Sequence, residues 1–375
     1  MLHVIEIDNL DRLAEYRLVW RSLLLEMPTA SFFQRYRWLE TYWRYFGKNK
    51  HLRVLIAHSG DAPVGILPLE LRVEPSRFGP VRVLTYPLDN WGTAFGPIGI
   101  QRTATLYAAM RHLRDRRCDW DVLDLRWVDP ETDRNRTPRT MAMNDLAPHA
   151  QPWMHGAVID LDGDWNAYLA GRTPKFRENL RRLRRRIEAA GEVVFERYRP
   201  QGGLDDGRNP RWDLFETCVE ISARSKQARD TNNYVLSHPR IVEFLAELHE
   251  IAARDGCVDV NVLRLDGKPI AFTYNYFWDG IVFGLRMGFD PEYAGLGPGT
   301  VLRAMMIEDS FRRGDRQIDL GTGYLESKTP WATGRTTSYR YTSFAPTLRG
   351  RLLRMQRWFA DRFADPLELA LRRSA

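Results

Sequence analysis

Alternation of apolar and polar positions predicts two β-hairpins in distant parts of the chain. In residues 52–73 and again in 260–277, apolar side chains recur at every second position on both sides of a turn containing Gly and Asp. This period is typical of half-buried hairpins. Helical periodicity precedes each hairpin, in residues 11–46 and then in 212–226 and 239–254. The pattern therefore indicates one α/β arrangement used twice.

The second hairpin leads into the most informative segment of the chain. Ile281 to Gly288 has the pattern of a third strand, and the sequence FDPEYAGLGPG then leads into a predicted helix from Thr300 to Arg313. Unshielded N–H groups at a helix start carry about half a positive charge and bind phosphate. Pro298 suits a first turn, which has no use for an N–H at that point. The alternative is a tight turn that needs glycine for backbone reasons alone.

Two segments combine helical apolar spacing with many arginines. Residues 172–186 contain eight basic residues and one acidic residue, and the predicted helix from Pro174 has Gly191 as its C-cap. Its basic face is either solvated or in contact with phosphate or an anionic surface. No zinc-finger, helix-turn-helix or RNA-binding signature supports nucleic acid as the partner.

The C-terminal segment from Leu348 to Phe363 has a similar pattern, with arginines beside an apolar face, and Pro366 is expected to end the helix. It either lies peripherally on an anionic membrane surface or packs as an ordinary terminal helix.

Composition narrows the class of protein. The chain has 375 residues, of which 44% are apolar and 27% charged, and its net charge of +7 favours polyanionic partners. Three cysteines without metal-ligand spacing predict no metal site and a reducing compartment. The N-terminus lacks the pattern of a signal peptide, and no window is apolar for long enough to span a membrane. We therefore expect a cytoplasmic protein.

These patterns divide the chain into three predicted parts. Residues 1–150 form a degenerate first α/β domain, because its hairpin is not followed by a glycine-rich loop. Residues 151–347 form a second domain with the phosphate-binding loop. Residues 348–375 form the basic amphipathic helix.

The segment Arg286 to Trp331 resembles the CelD/BcsL branch, associated with cellulose biosynthesis, of the GNAT superfamily of CoA-dependent acyltransferases. The matching elements are a Phe-Asp-Pro-Glu-Tyr turn at 289–293, Gly-Pro-Gly at 297–299, Asp-Leu-Gly at 319–321, and Tyr324, Lys328 and Trp331. The branch usually has Tyr and Lys adjacent, whereas three residues separate them here. The resemblance implies an α/β fold of tandem GNAT-like domains, each a mixed, mostly antiparallel sheet flanked by helices.

The resemblance also implies a co-substrate site for acyl-CoA, with no permanently bound cofactor. The pantetheine arm is expected along Arg286, Met287 and Gly288, with an oxyanion-binding N–H near Gly288. The pyrophosphate is expected on the N–H groups of the following loop, at Gly295, Leu296, Gly297, Gly299 and Thr300. A typical loop begins with Arg or Gln, which Glu292 replaces here, so we expect arginines elsewhere to compensate.

Candidates for acid–base chemistry follow the last strand of the motif, at Tyr324, Glu326 and Lys328. His238 is a further candidate base, or else part of a capped turn before Pro239. The loop Asp89-Asn90-Trp91 either lines the acceptor site or is an Asx turn.

The predicted function is an N-acyltransferase that moves an acyl group from acyl-CoA to the amine of an envelope-related acceptor. The preferred acceptor is a lipid amine such as a sphingoid base, as in bacterial ceramide synthases, which resemble members of this superfamily. Alternatives are acetyl transfer from acetyl-CoA to an exopolysaccharide sugar, a Fem-like transfer from aminoacyl-tRNA, and a catalytically inactive scaffold.

Overall fold

The computed structural model describes residues 2–116, 118–201, 210–225 and 235–363, and side chains up to residue 359. Two expected helix limits, Lys226 and Pro366, lie outside these residues. The chain forms two compact units. Unit 1 comprises Met1–His155 and Thr336–Ala375, and unit 2 comprises Gly156–Arg335.

Unit 1 begins with a strand and three helices that precede its hairpin. Its elements, in chain order, are β1 (Leu2–Ile7), α1 (Leu10–Ala14), α2 (Arg17–Leu25), α3 (Tyr36–Phe46), β2 (Lys50–Ser59), β3 (Ala62–Glu74), β4 (Val81–Thr85), α4 (Arg102–Asp115), β5 (Val122–Val128), α5 (Pro130–Asp133) and α6 (Arg136–Ala142). Strands β1 to β4 pair antiparallel in sequence order, and β4 pairs parallel with β5.

The next strand, β6 (His149–Asp160), has residues in both units and leads into unit 2. The elements that follow are α7 (Trp165–Ala170), α8 (Pro174–Glu188), β7 (Val193–Tyr198), α9 (Trp212–Arg224), α10 (Pro239–Arg254), β8 (Val258–Leu265), β9 (Lys268–Trp278), β10 (Ile281–Phe289), α11 (Pro298–Arg313), β11 (Gln317–Thr322), α12 (Leu325–Lys328), β12 (Gly334–Phe344) and α13 (Leu348–Phe363). Strand β12 also has residues in both units, and in unit 1 it pairs antiparallel with β5.

The sheet of unit 2 repeats the pairing of unit 1. Strands β7, β8, β9 and β10 pair antiparallel in that order, β10 pairs parallel with β11, and β11 pairs antiparallel with β6. Each unit is therefore a mixed, mostly antiparallel sheet with one parallel pair, at β4–β5 and at β10–β11. This architecture confirms the predicted α/β fold class. The three predicted residue ranges remain a prediction.

Local chemistry explains the predicted turns of unit 2. Asp266 and Gly267, between β8 and β9, have φ angles of 49° and 77°, and Asp279 and Gly280, between β9 and β10, have φ angles of 47° and 76°. Two successive residues with positive φ form the type I′ turn that suits a two-residue hairpin, and Asp-Gly is a preferred pair for it. The turn at Asp266-Gly267 confirms the predicted hairpin of residues 260–277.

Helix α8 packs through the predicted apolar face, since Leu180, Leu183 and Ile187 are buried. The predicted C-cap at Gly191 is wrong, because the helix ends at Glu188 and Ala189 is the C-cap. The Ala189 N–H donates to the Arg185 carbonyl oxygen and the Ala190 N–H donates to that of Ile187, and Ala189 has ordinary αR geometry, so no left-handed residue is needed there.

Candidate active site

Strand β10 changes its pairing partners halfway along its length. Its parallel pairing with β11 runs from Ile281 to Phe283, whereas its antiparallel pairing with β9 continues to Phe289. The register with β9 shifts between Gly284 and Arg286, which leaves Leu285 as the extra residue of a β-bulge. The bulge takes Leu285 out of the regular ladder with β9.

Two glycines lie where β10 and β11 part. A Cβ atom on Gly284 would lie 3.0 Å from the carbonyl oxygen of Asp319, and one on Gly321 would lie 3.2 Å from the carbonyl oxygen of Gly284. The strands therefore touch backbone to backbone, and a larger residue at either glycine would push them apart. We call the place defined by Gly284 and Gly321 the β10–β11 fork.

Beyond the fork, β10 leads into the glycine loop and the start of α11. Residues Pro291–Leu296 form a 3₁₀ turn, so the loop is a turn of helix ahead of α11 rather than an open strand-to-helix link. Gly297 is the N-cap in left-handed geometry with a φ of 66°, and Pro298 is the first helical residue, as predicted. Within the fully described helix α11, no side chain caps this end. The start of α11 is therefore left to its own backbone groups.

Neighbouring side chains explain why glycine is required in this loop. A Cβ atom on Gly297 would lie 2.8 Å from Leu183 Cδ2 of α8, and one on Gly299 would lie 3.0 Å from Met287 Cε of β10. Gly295 is exposed, and a Cβ atom there would lie 3.9 Å from Arg186 Nη2 of α8. One guanidinium of the basic helix therefore reaches the loop that lacks a basic residue of its own.

Lys328 lies beside the fork, at the end of α12. Its Nζ donates a hydrogen bond of 2.7 Å to the carbonyl oxygen of Thr322, and it lies 3.8 Å from the position of a Cβ on Gly321. Burial and, second, the nearby Arg303 guanidinium lower the pKa of Lys328 from 10.5 to about 8, against an opposing effect of Asp319. The amine therefore exchanges its proton near neutral pH.

Arg303 of α11 connects the three elements around the fork. Its guanidinium lies 3.0 Å from Met287 Sδ of β10, donates to the Ser327 carbonyl oxygen at 3.3 Å, and lies over the ring of Trp331 at 5.7 Å. Burial lowers the pKa of Arg303 to about 10. Arg303 therefore holds the Lys328 segment against the helix that begins at the glycine loop.

The other predicted residues of unit 2 are placed as follows. Arg286 follows the bulge, and its Nη1 donates to the Leu285 carbonyl oxygen at 2.7 Å while burial lowers its pKa to about 10. Gly288 is buried and pairs with Phe272 of β9. Leu296 ends the 3₁₀ turn, and the Thr300 N–H donates to the Gly297 carbonyl oxygen. The structure thus brings the predicted arm, loop and Lys328 together around β10 and α11.

Three predicted catalytic residues are exposed. Tyr324 is 69% exposed and caps α12 in left-handed geometry, and Glu326 in α12 is exposed too. His238 is the N-cap residue of α10 and is exposed, without a side-chain cap hydrogen bond. Their catalytic roles remain predictions.

The predicted acceptor residues belong to unit 1, in the turn after β4. Asp89 and Asn90 have positive φ angles of 45° and 65°. The Asp89 carboxylate accepts a hydrogen bond of 2.7 Å from Lys50 Nζ and is bonded to Arg72. Trp91 is buried against Trp38 and Phe46. These contacts give the turn a structural role, and acceptor binding by it remains a prediction.

Sequence reasoning expected a compensating arginine but did not identify Arg186, and it did not identify Arg303. Their signal is weak, because both are single arginines in arginine-containing helices. Among the described residues, no cluster of three or more His, Cys, Asp or Glu side chains has the arrangement of a metal site. In the part of the chain that the structure describes, no helix is both long and apolar enough to cross a bilayer.

The sequence matches a known family model over part of unit 2. Residues 174–329, which include α8, the glycine loop and Lys328, match the family model described as Acetyltransferase (GNAT) domain. No curated protein matches the sequence.

Several solved structures share the fold at low sequence identity. FemX covers 90% of this chain and 98% of its own, with 9% identity and a TM-score of 0.60. The C-terminal domain of a lysylphosphatidylglycerol synthetase from Agrobacterium fabrum covers 91% and 95%, with 13% identity and a TM-score of 0.56. L-PGS from Bacillus licheniformis covers 85% and 95%, with 13% identity and a TM-score of 0.51. Residues 174–329 therefore match the model of a GNAT acetyltransferase domain, and the chain as a whole shares its fold with these three structures.

Proposed function

We propose that unit 2 is an acyl-CoA-dependent N-acyltransferase whose active site is the β10–β11 fork. The observation that carries the proposal is the position of Lys328, whose Nζ lies at Gly321 of the fork while β10 runs on to the open start of α11. A thioester laid along β10 would have its phosphates at the glycine loop and its reacting carbon beside this amine.

The phosphate end of the co-substrate is assigned to the loop and α11. Of the predicted loop residues, Gly295, Leu296 and Gly299 are assigned to the phosphates, because the N–H groups of Gly297 and Thr300 already donate to the carbonyl oxygens of Ala294 and Gly297. The start of α11, which no side chain caps, favours negative charge. Arg186 approaches Gly295 and supplies the positive side chain that the loop lacks. Arg286, Met287 and Gly288 then form the strand along which the pantetheine arm lies.

The reaction is direct attack of an amine on the thioester carbon. The C–N bond forms and the C–S bond breaks, and the amine loses a proton to solvent while the CoA thiolate gains one. Lys328 is assigned to donate the proton to the thiolate, because its pKa of about 8 leaves it largely protonated at neutral pH and still able to release a proton. The N–H of the bulged Leu285 is assigned to the oxyanion.

The acceptor is proposed to be a lipid amine, with a long-chain acyl-CoA as donor. Helix α13 favours this choice, because four large apolar side chains on it face solvent, namely Leu348, Met355, Trp358 and Phe359, which are 76%, 55%, 53% and 48% exposed. Residues 348–360 also contain four arginines and no acidic residue. An exposed apolar face with arginines beside it suits an anionic bilayer surface, where the acceptor would be found.

Thermal unfolding with palmitoyl-CoA, acetyl-CoA and free CoA tests the donor. Because a ligand of the native state stabilises it by mass action, all three should raise Tm, with palmitoyl-CoA raising it most. Equal shifts with acetyl-CoA and CoA would favour a small acyl group. If none of the three ligands raised Tm, the proposed co-substrate site would be contradicted. The inactive scaffold and the aminoacyl-tRNA-dependent transferase would then remain as alternatives.

Lys328→Met tests the catalytic assignment. We expect kcat to fall about a hundred-fold or more, with CoA binding retained, because the leaving thiolate loses its proton donor. In the wild type kcat should fall as the pH rises through about 8, the pKa of Lys328, and Lys328→Arg should remove that alkaline limb. Lys268→Met, which replaces an exposed lysine at the start of β9, is the control, and an equal loss of kcat in both variants would contradict the assignment.

Co-sedimentation with phosphatidylglycerol vesicles tests the role of α13. The double variant W358S/F359S should abolish binding, whereas L18S/M143S, which alters two other exposed apolar residues of unit 1, should leave it unchanged. Binding should weaken with salt, because arginines supply part of it. A wild-type protein that ignores these vesicles at low salt would contradict the proposed membrane contact.

A further inference from the structure

Helix α8 has a second set of cations on the flank away from Arg186. Arg177, Arg181 and Arg184 are spaced four and three residues apart, so their side chains emerge on one side of the helix. Together with Asn166 and Leu169 of α7, and with Leu180 between them, they line a cavity of about 220 Å³. The α7–α8 cavity therefore combines three guanidinium groups with a small apolar floor.

The positive charge in this cavity is mostly uncompensated. Arg184 pairs with Glu308 of α11 at 2.7 Å, and its guanidinium lies over the Trp165 ring at 5.8 Å. Among the described residues, the side chains of Arg177 and Arg181 have neither an ion-pair nor a hydrogen-bonding partner. Like charges four residues apart on a helix repel each other, so the bare arrangement costs free energy.

Buried donors add to this cost. The Nε atoms of Arg177 and Arg184 are buried and lack an acceptor among the described residues. Leaving such a donor unsatisfied costs about 1–3 kcal/mol in general, and orphaned donors commonly mark the place of a missing ligand, ion or water. An anion in the cavity would satisfy these donors and relieve the repulsion between Arg177 and Arg181.

We propose that the α7–α8 cavity binds the phosphate group of a phosphomonoester or phosphodiester ligand. Guanidinium groups bind phosphate oxygens through pairs of parallel N–H bonds, and three of them converge here. The cavity holds roughly seven water volumes, which is room for a phosphate with a short carbon chain such as glycerol. Leu169 and Leu180 offer that chain an apolar contact, and the Asn166 amide offers a further hydrogen bond.

This site is separate from the proposed co-substrate site, because Arg186 and the glycine loop lie on the other flank of α8. The proposed phosphate site in the α7–α8 cavity does not depend on the proposed acyl transfer. Occupation of the cavity should therefore survive changes at the loop or at Lys328, and CoA binding should survive changes in the cavity.

Isothermal titration of the full chain with inorganic phosphate and with glycerol 3-phosphate tests the proposal. The variant R177Q/R181Q should bind both about ten- to a hundred-fold more weakly, since each lost bond to a charged group carries that weight. The matched control is R182Q/R185Q, which removes the same charge from exposed positions of the same helix. It should bind as the wild type does and keep the wild-type Tm. Without ligand, the Tm of R177Q/R181Q should equal or exceed that of the wild type, because the repulsion and the orphaned donor are removed.

Two results would overturn the proposal. If phosphate affinity fell equally in both double variants, the binding would belong to a diffuse basic face and not to a defined site. If phosphate bound no more tightly than chloride, the site would hold an adventitious ion only. Phosphatidylglycerol vesicles, added to a W358S/F359S background, identify the source of the phosphate. Vesicle binding that depends on Arg177 and Arg181 assigns the site to a lipid headgroup, whereas glycerol 3-phosphate binding without vesicle binding assigns it to a soluble phosphate ester.

Discussion

The same junction, from a strand to the helix that follows it, is built differently in the two units. In unit 2, residues 290–297 lead from β10 to α11 through the 3₁₀ turn and a glycine N-cap, and no side chain covers the helix start within α11. In unit 1, the longer stretch 86–101 leads from β4 to α4, and its Asp89 is bonded to Lys50 and Arg72. Both helices begin without a side-chain cap, so the two junctions differ in the short glycine loop of unit 2 and the longer, ion-paired loop of unit 1.

The buried carboxylates of the two units show the same contrast in their pKa values. Asp259 of unit 2 accepts hydrogen bonds from Arg197, Arg199, Asn261 and Asn275, and despite burial these partners hold its pKa well below its usual range. Glu70 of unit 1 shares Lys50 and Arg72 with Asp89, so burial and the Asp89 charge raise its pKa to about 6. The cations and amide donors around Asp259 therefore outweigh its burial, whereas Lys50 and Arg72 do not outweigh burial and the Asp89 charge at Glu70.

The largest expected effect is on Asp259. Asp259→Asn removes the buried carboxylate that pairs with both Arg197 and Arg199 and leaves these two buried arginines with only Asp309 and Asp315, so we expect it to cost about 3–5 kcal/mol of unfolding free energy. Urea denaturation measures the loss. Asp279→Asn is the control, since the Asp279–Arg316 pair is more than half exposed and should contribute about 0–1 kcal/mol. Similar losses in both variants would remove the contrast between buried and exposed pairs.

At Glu70 we expect a smaller effect on the unfolding free energy, and this effect depends on pH. Because its pKa rises from 4.5 to about 6 on folding, its contribution to stability is complete below the lower value and is lost as pH rises through the higher one. Glu70→Gln removes this titration. Its unfolding free energy relative to the wild type should therefore increase by up to about 2 kcal/mol between pH 4.5 and pH 7.

Asp89 provides the matching test in the same network. Burial raises its pKa, but Lys50 and Arg72 outweigh burial and lower it below the usual value. Asp89→Asn should therefore lose stability relative to the wild type as the pH rises from acid, which is the reverse of Glu70→Gln. The same sign of pH dependence in both variants would show that the two carboxylates do not compete for Lys50 and Arg72.

The smallest stability effect is expected at the glycine N-cap of α11. Gly297→Ala and Gly314→Ala both place alanine at a left-handed residue, with φ angles of 66° and 71°, and each should cost about 1 kcal/mol. Only Gly297 faces a close neighbour, Leu183. Gly297→Ala should therefore also lose the Tm shift caused by CoA, whereas Gly314→Ala, at the other end of α11, should keep it. If both variants lost the Tm shift caused by CoA, the loss could not be attributed to the glycine loop.

Local sequence patterns were sufficient to predict the hairpins and α11. Asp266-Gly267 and Asp279-Gly280 specify type I′ turns through two residues each, and Pro298 and Gly314 mark the two ends of α11. The α/β class and the repeated arrangement followed from those elements, because strand and helix periods are local properties of the chain.

The parts that sequence reasoning missed depend on contacts between residues far apart in the chain. Arg186 reaches Gly295, and Arg303 lowers the pKa of Lys328, only after α8, α11 and α12 have packed. The Asp89 turn could be read as an acceptor loop because nothing near it in the sequence predicts its bonds to Lys50 and Arg72. Charge compensation is a tertiary property, and single arginines give little signal of it.

Unit 1 is built from two segments that are separated in the sequence by unit 2, and this affects the order in which the two units can fold during synthesis. Strand β5 pairs with β12, which is made only after all of unit 2 has been synthesised, whereas unit 2 is continuous in sequence from Gly156 to Arg335. The unit synthesised first is therefore completed last. Until β12 emerges, β5 presents an unpaired strand edge of the kind that promotes misassembly in nascent chains. Chain termination just after Arg335 would thus harm unit 1 while leaving the residues of unit 2 intact.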